Sequence, residues 1–158
     1  MSEILLSYDV ETTGPVPGSN ALLSLGIVAI DGNALAPIGE YAVNLDIDYD
    51  KTGISVGWDE DTRHWWMHPD RAEAWAETRK DLADPKTAIP EMVKWLKKLR
   101  QDHDDAKLVW AAYPATFDFP FIAMACHRFA PTAWLRLSKD DVMQRVAGFD
   151  MGSQARAS

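Results

Sequence analysis

The sequence has one cysteine, Cys126, so no internal disulfide can form and a reducing compartment suits the chain. It lacks any apolar run near the ~18 residues of a membrane-spanning helix, and no secretory pattern precedes its first apolar segment. These absences give the expectation of a cytoplasmic protein with no membrane partner. Basic residues are scarce at the front: residues 1–62 hold 11 acids and one base, Lys51, a balance of −10. Residues 63–158 hold 13 acids and 15 bases, a balance of +2. The net charge of −8 therefore conceals a division. An acidic front with a mildly basic rear suits a site where cations offset carboxylates and a basic flank meets phosphate, and it equally suits a protein with an acidic face.

What is present suits one domain over residues 1–158: 47% of residues are hydrophobic and 25% charged, with no repeat, low-complexity tract or interdomain linker. "EILLSYDV" reads as a central strand. "ALLSLGIVAI", residues 21–30, reads as a second, followed by the turn signal Asp31-Gly32. "GEYAVNLDID", residues 39–48, alternates as a half-exposed strand does. The three form an antiparallel meander, after which residues 46–61 read as an acidic loop. Helical signals follow in "DEDTRHWWMH", in residues 70–82 with Pro85 as a stop, and in "AIPEMVKWLKKLRQ", whose Ile89, Met92, Val93, Leu96 and Leu99 share a face. "KLVWAAY" predicts a fourth strand and "FDFPFIAMACHRF" a helix with Pro120 in its first turn. "AWLRL" predicts a short fifth strand, and residues 138–146 the start of a capped helix. The order implies an α/β fold: a mixed sheet with a three-strand antiparallel meander followed by parallel strands, and helices on its faces.

The first strand ends in "DVETTG", which sets Asp9 and Glu11 two residues apart. Residues i and i+2 of a strand face the same way, about 6–7 Å apart, where they repel but can bracket a cation. Hard carboxylate oxygens suit Mg²⁺ or Mn²⁺, and such sites take a further acid from elsewhere. Asp118 is the candidate, five residues past "KLVWAAY" at a helix start, although a helix-start acid also arises for capping and dipole reasons alone. If its strand pairs beside the first, all three acids meet at one rim and can hold two ions for phosphodiester hydrolysis.

"YDVETTG" resembles the first motif of the DEDD superfamily of 3'-5' exonucleases, which have a ribonuclease H-like fold. "WAAYPATFDFPFI" resembles the second, with Asp118 as the third acid. "DTRHWWMH", residues 61–68, is similar to a segment of small prokaryotic and phage members, exoribonucleases among them. "FDMGSQARA", residues 149–157, resembles the following strand-to-helix segment, so the resemblance covers residues 4–157. It implies Asp9, Glu11 and Asp118 as catalytic metal ligands for two Mg²⁺ or Mn²⁺ ions. It implies Thr12, Thr13 and Gly14 against the terminal nucleotide, with Trp66 or Phe117 near its base unless these pack in the core. It also implies single-stranded RNA or DNA 3' ends as partner, nucleoside 5'-monophosphates as products, and a homodimer in some members.

The family's third motif, a general base His or Tyr and then a fourth Asp, lies past "FDMGSQA", so the sequence predicts a domain incomplete at its C-terminus. His103 in "QDHDDAK" precedes Asp118 and reads as part of a solvated charge cluster; His64 and His68, at i and i+4 without a Glu between them, read as surface or packing residues. Lack of a base costs a typical ~10²–10⁴-fold in rate. Two rivals follow: a non-catalytic nucleic-acid-binding or scaffold relative, and an endonuclease of the same fold. The Thr and Gly of "DVETTG" favour action at a chain terminus.

Overall fold

The computed structural model describes residues 2–47, 57–112, 115–139 and 143–147. Strand β1 (Glu3–Thr12) shows why its sequence is extended: Ile4, Leu6, Tyr8 and Val10 are buried while Glu3, Ser7 and Asp9 are exposed, a period of two. β2 (Leu22–Asp31) pairs antiparallel with β1, and β3 (Pro37–Asn44) antiparallel with β2. The turn after β2 is set by Asp31, whose carboxylate accepts the Asn33 and Ala34 amides at 2.8 Å each. β4 (Lys107–Ala112) lies parallel on the other side of β1, and β5 (Met143–Ala147) parallel to β4. The sheet order β3-β2-β1-β4-β5 is the mixed, ribonuclease H-like arrangement that the sequence implies.

Helix α1 (Glu60–Trp66) starts at Asp59, whose carboxylate accepts the Thr62 amide at 2.9 Å. A 3-10 turn at Pro69–Arg71 leads into α2 (Ala72–Thr78), shorter than residues 70–82 suggest. Pro85 does not stop a helix but opens α3 (Pro85–Asp102), at a position where its missing N–H costs nothing, behind the Asp84 cap. α4 (Ala115–Phe129) follows β4, and α5 (Pro131–Lys139) follows α4.

Two assignments are corrected. "AWLRL" is not a strand but the body of α5: Ala130, Trp134 and Leu137 are buried at helical spacing while Leu135 is 40% exposed. The apolar alternation of Ala133, Leu135 and Leu137 imitates a strand, and burial of Trp134 overrides it. The helix expected over residues 138–146 is displaced by β5 at Met143–Ala147, because β4 has a free edge that a parallel strand completes. Residues 149–157, the "FDMGSQARA" segment, lie outside the described residues, as does most of the acidic loop.

α3, α4 and α5 pack on one another, and the core joins them to one sheet face through Leu6, Tyr8, Trp110, Met92, Leu96, Ile122 and Trp134. Each such side chain contributes about 1.5–3 kcal/mol by leaving water, more than an exposed ion pair does. Directly beneath the rim, Tyr8, Trp110 and Phe119 pack edge to face, with Tyr8–Trp110 centroids at 5.3 Å and Trp110–Phe119 at 5.5 Å. This aromatic layer fixes β1, β4 and α4 to one another, which is what positions the acids.

Candidate active site

Parallel pairing sets Ser7 against Ala111, so β4 ends level with the acidic end of β1 and α4 begins there. Asp118, in the first turn of α4, is 7% exposed. Its carboxylate accepts the Val10 amide and shares a side-chain hydrogen bond with Asp9. Burial, then repulsion from Asp9, pushes its pKa from 3.8 to about 6. Glu11 is raised as well, first by burial and then by the charges of Asp9 and Asp118. The three acids named from the sequence thus act on one another electrostatically at one rim.

Among the described residues, no three His, Cys, Asp or Glu side chains are gathered closely enough to hold a metal ion as they stand. The acids converge without forming a closed cage. Their chemistry is nevertheless that of a hard-cation site: the donors are all carboxylate oxygens, and a divalent cation would relieve the repulsion that raises Glu11 and Asp118.

The turn after β1 is braced from within. A bulge separates Glu11 from Thr12, and the Thr12 hydroxyl donates to the Gly14 carbonyl at 2.8 Å. Thr13, 1% exposed, donates its hydroxyl to the Gly57 carbonyl at 2.9 Å and accepts the Ala21 amide at 2.7 Å. Gly14 is required by space: an added Cβ would stand 2.5 Å from the Asn20 side chain. Trp66 is 4% exposed, and its indole N–H donates to the Thr12 carbonyl at 3.1 Å, so it supports the rim instead of offering a ring face. Phe117, 38% exposed, packs against Phe121 one turn later on α4.

Two participants escape sequence reasoning. Asn20 accepts the Val16 amide at 2.9 Å and donates to the Gly57 carbonyl at 3.1 Å, locking the far side of the turn; no spacing rule singles it out. Gly26 stands opposite Asp9 on β2, and a Cβ there would meet nothing within 4 Å. A hollow of about 280 Å³ consequently lies beside Asp9, bounded by Ser7, Val28, Tyr41 and Ala42. An isolated glycine opposite an acid is the signal, legible only once the register is known.

All four histidines have local partners. His64 Nδ1 faces the Glu60 carbonyl, and His68 caps the 3-10 turn, so the two share no helix face. His103 ends α3 with Nδ1 2.8 Å from the Leu99 carbonyl, a more ordered position than a solvated loop. His127 packs edge-on to Trp134.

Residues 5–156 match the family described as the 3'-5' exoribonuclease Rv2179c-like domain. The chain belongs to this family. It is 28% identical over 131 residues to the 3'-5' DNA exonuclease Cap18 of Escherichia coli, an alignment covering 79% of this chain and 58% of that protein. Escherichia coli Exonuclease I, in complex with a 5cy-dA13 oligonucleotide, matches the fold at a TM-score of 0.63 and 14% identity, over 98% of this chain and 30% of that one. Exonuclease I from Methylocaldum szegediense matches at 0.60 and 15% identity, over 98% and 29%. The chain therefore spans about three-fifths of the curated relative and under a third of these neighbours. Membership of the Rv2179c-like family and this fold make it a 3'-5' exonuclease-like domain.

Proposed function

We propose that this domain removes nucleotides from the 3' end of single-stranded RNA or DNA and releases nucleoside 5'-monophosphates, with two Mg²⁺ or Mn²⁺ ions held by Asp9, Glu11 and Asp118. The observation that carries the reading is the meeting of Asp118 on α4 with Asp9 on β1, across 109 positions of sequence, at the level where β1 and β4 end. Bound divalent ions supply Lewis acidity, neutralising charge on the phosphate and lowering the pKa of water. The chain's own part is to keep three carboxylates at one rim, with the braced Thr12–Gly14 turn beside them to receive a terminal nucleotide through its backbone. The Gly26 hollow leaves room next to Asp9. Single-strand use is supported by the oligonucleotide carried by the Exonuclease I neighbour.

The engagement of every histidine in a local contact favours one second reading, a relative that binds strands without cutting them. The two separate on end-labelled single-stranded RNA and DNA with Mn²⁺, run beside Asp9→Ala. A ladder of shortened products that vanishes in the variant is the expected result. Binding without shortening overturns the exonuclease reading, and internal cuts in a circular strand assign an endonuclease.

A further inference from the structure

α3 and α5 border a cleft of about 440 Å³, within the usual range of small-molecule sites. Its floor is aliphatic, from Pro90 and Val93 on α3 and Leu137 on α5. Its walls are Lys94, Lys97 and Arg100 on α3 and Arg136 on α5, and among the described residues no acidic side chain lines it. The α3 cations stand at intervals of three, on one stripe, where like charges repel.

Lys98 on α3 pairs with Asp102, and Lys80, just past α2, with Glu77. Among the described residues Lys94, Lys97 and Arg136 have no ion pair, and Arg100 reaches only Asp105, at 3.7 Å. Arg100 Nε is sealed from solvent and has no hydrogen-bond partner among the described residues, so a cleft ligand would meet the outer nitrogens of this guanidinium.

We propose that this cleft binds a compact polyphosphorylated small molecule, its phosphates on the four cations and its body on the Pro90–Val93–Leu137 floor. Two guanidiniums and two ammoniums around one small volume match a ligand with three or four negative charges on adjoining phosphates. An acidic peptide spreads at most one charge per residue, over a longer path than the cleft offers. A single nucleic-acid strand is a poorer match, because such grooves stack bases on aromatic rings and, among the described residues, none lines this one. The site is independent of the acidic rim and of the exonuclease reading.

The test is calorimetry in EDTA at low salt, with ATP and inorganic tripolyphosphate as probes. One saturable site is expected, with ATP tighter than tripolyphosphate because only ATP has a body to cover the floor. The charge-reversed double variant Lys97→Glu/Arg136→Glu should bind ATP at least about tenfold more weakly, with its melting temperature in probe-free buffer unchanged. Asp9→Asn/Asp118→Asn should bind as the wild type does, whether or not the domain proves to be an exonuclease. Equal ATP affinity in the charge-reversed variant overturns the proposal, as does loss of binding in the Asp9/Asp118 variant. Tripolyphosphate binding as tightly as ATP removes the role of the floor. Stronger competition by oligo-glutamate or a single-stranded oligonucleotide than by tripolyphosphate assigns the cleft to that polymer instead.

Discussion

At the rim Asp9, Glu11 and Asp118 gather negative charge at the end of the sheet; in the α3–α5 cleft Lys94, Lys97, Arg100 and Arg136 gather positive charge between helices. Neither region uses the other's charges, and among the described residues Arg100 alone of these seven side chains has an ion-pair partner, Asp105 at 3.7 Å. They differ in how the backbone holds them. The rim is braced by hydrogen bonds from Thr12, Thr13, Asn20 and Trp66, which fix where each acid points. The cleft's cations stand on helix surfaces, and their long stems fix only roughly where charge sits. Geometry at the rim suits chemistry; tolerance in the cleft suits binding.

The largest break in this comparison comes from deleting a carboxylate. Asp9→Ala removes one side of the Asp9–Asp118 pair and a candidate ligand, and charge stabilisation of several kcal/mol at the phosphate corresponds to about 10³-fold or more in rate. The expected outcome is loss of shortening of a 3'-directed, 5'-labelled single strand. Lys97→Glu/Arg136→Glu on the same substrate should change the rate by less than about threefold. A comparable loss in both would mean that the two regions serve one strand.

Much of this division was legible beforehand, and the limits are physical. β1, β2 and β4 announce themselves as short apolar runs and β3 by alternation, and Asp9, Glu11 and Asp118 by family-like motifs. α5 and β5 were misread because Ala133, Leu135 and Leu137 alternate as strand residues do, while the deciding contact, Trp134 against Trp110 with centroids 6.3 Å apart, spans two dozen residues. The brace on the rim was invisible for the same reason: Gly57, Asn20 and Trp66 reach the turn from three separate segments. The cations Lys94, Lys97 and Arg100 recur every three residues in the sequence, but with "AWLRL" read as a strand no second helix stands opposite them.

A smaller break tests the brace. Gly14→Ala sets a methyl 2.5 Å from an Asn20 side chain already held by two hydrogen bonds, so the turn or Asn20 must move. Overpacking of this kind costs about 1–3 kcal/mol. Urea denaturation should show that loss, with a fall in exonuclease rate, while ATP binding in the cleft is unchanged. Asn20→Ala in the same chain removes the obstacle and should recover part of the stability.

Protonation sharpens the contrast on the rim side alone. In the folded, metal-free chain Asp118 holds its proton up to about pH 6, against an ordinary value of 3.8. A raised carboxyl pKa means that the folded state binds protons more tightly than the unfolded one. Its favourable contribution is present below about pH 4 and is lost as pH rises through 6. In EDTA, Asp118→Asn should therefore melt above the wild type at pH 7.5, with the gap narrowing as pH falls toward 4. Added Mg²⁺ should raise the wild-type melting temperature more than the variant's, and more at pH 7.5 than at pH 5, because protons compete for the same oxygens. A gap that is flat with pH would separate Asp118 from Asp9.

The smallest effect concerns one hydrogen bond. Trp66 is held on either side by Trp65 and Trp75, with ring centroids at 4.9 and 5.5 Å, so Trp66→Phe keeps an aromatic ring in a packed slot. What it removes is the indole N–H that the Thr12 carbonyl accepts, beside Glu11. A buried carbonyl left without its donor costs about 1 kcal/mol or slightly more, which should lower the melting temperature by roughly 2–4 °C. The same change should weaken Mg²⁺ stabilisation, since the β1 bulge that aims Glu11 loses its support, whereas the thermal shift given by ATP should stay at the wild-type value. A Trp66→Phe chain that melts lower yet keeps its full response to Mg²⁺ would show that the indole supports only the fold, and that Glu11 is aimed by β1 and the Thr13 contacts alone.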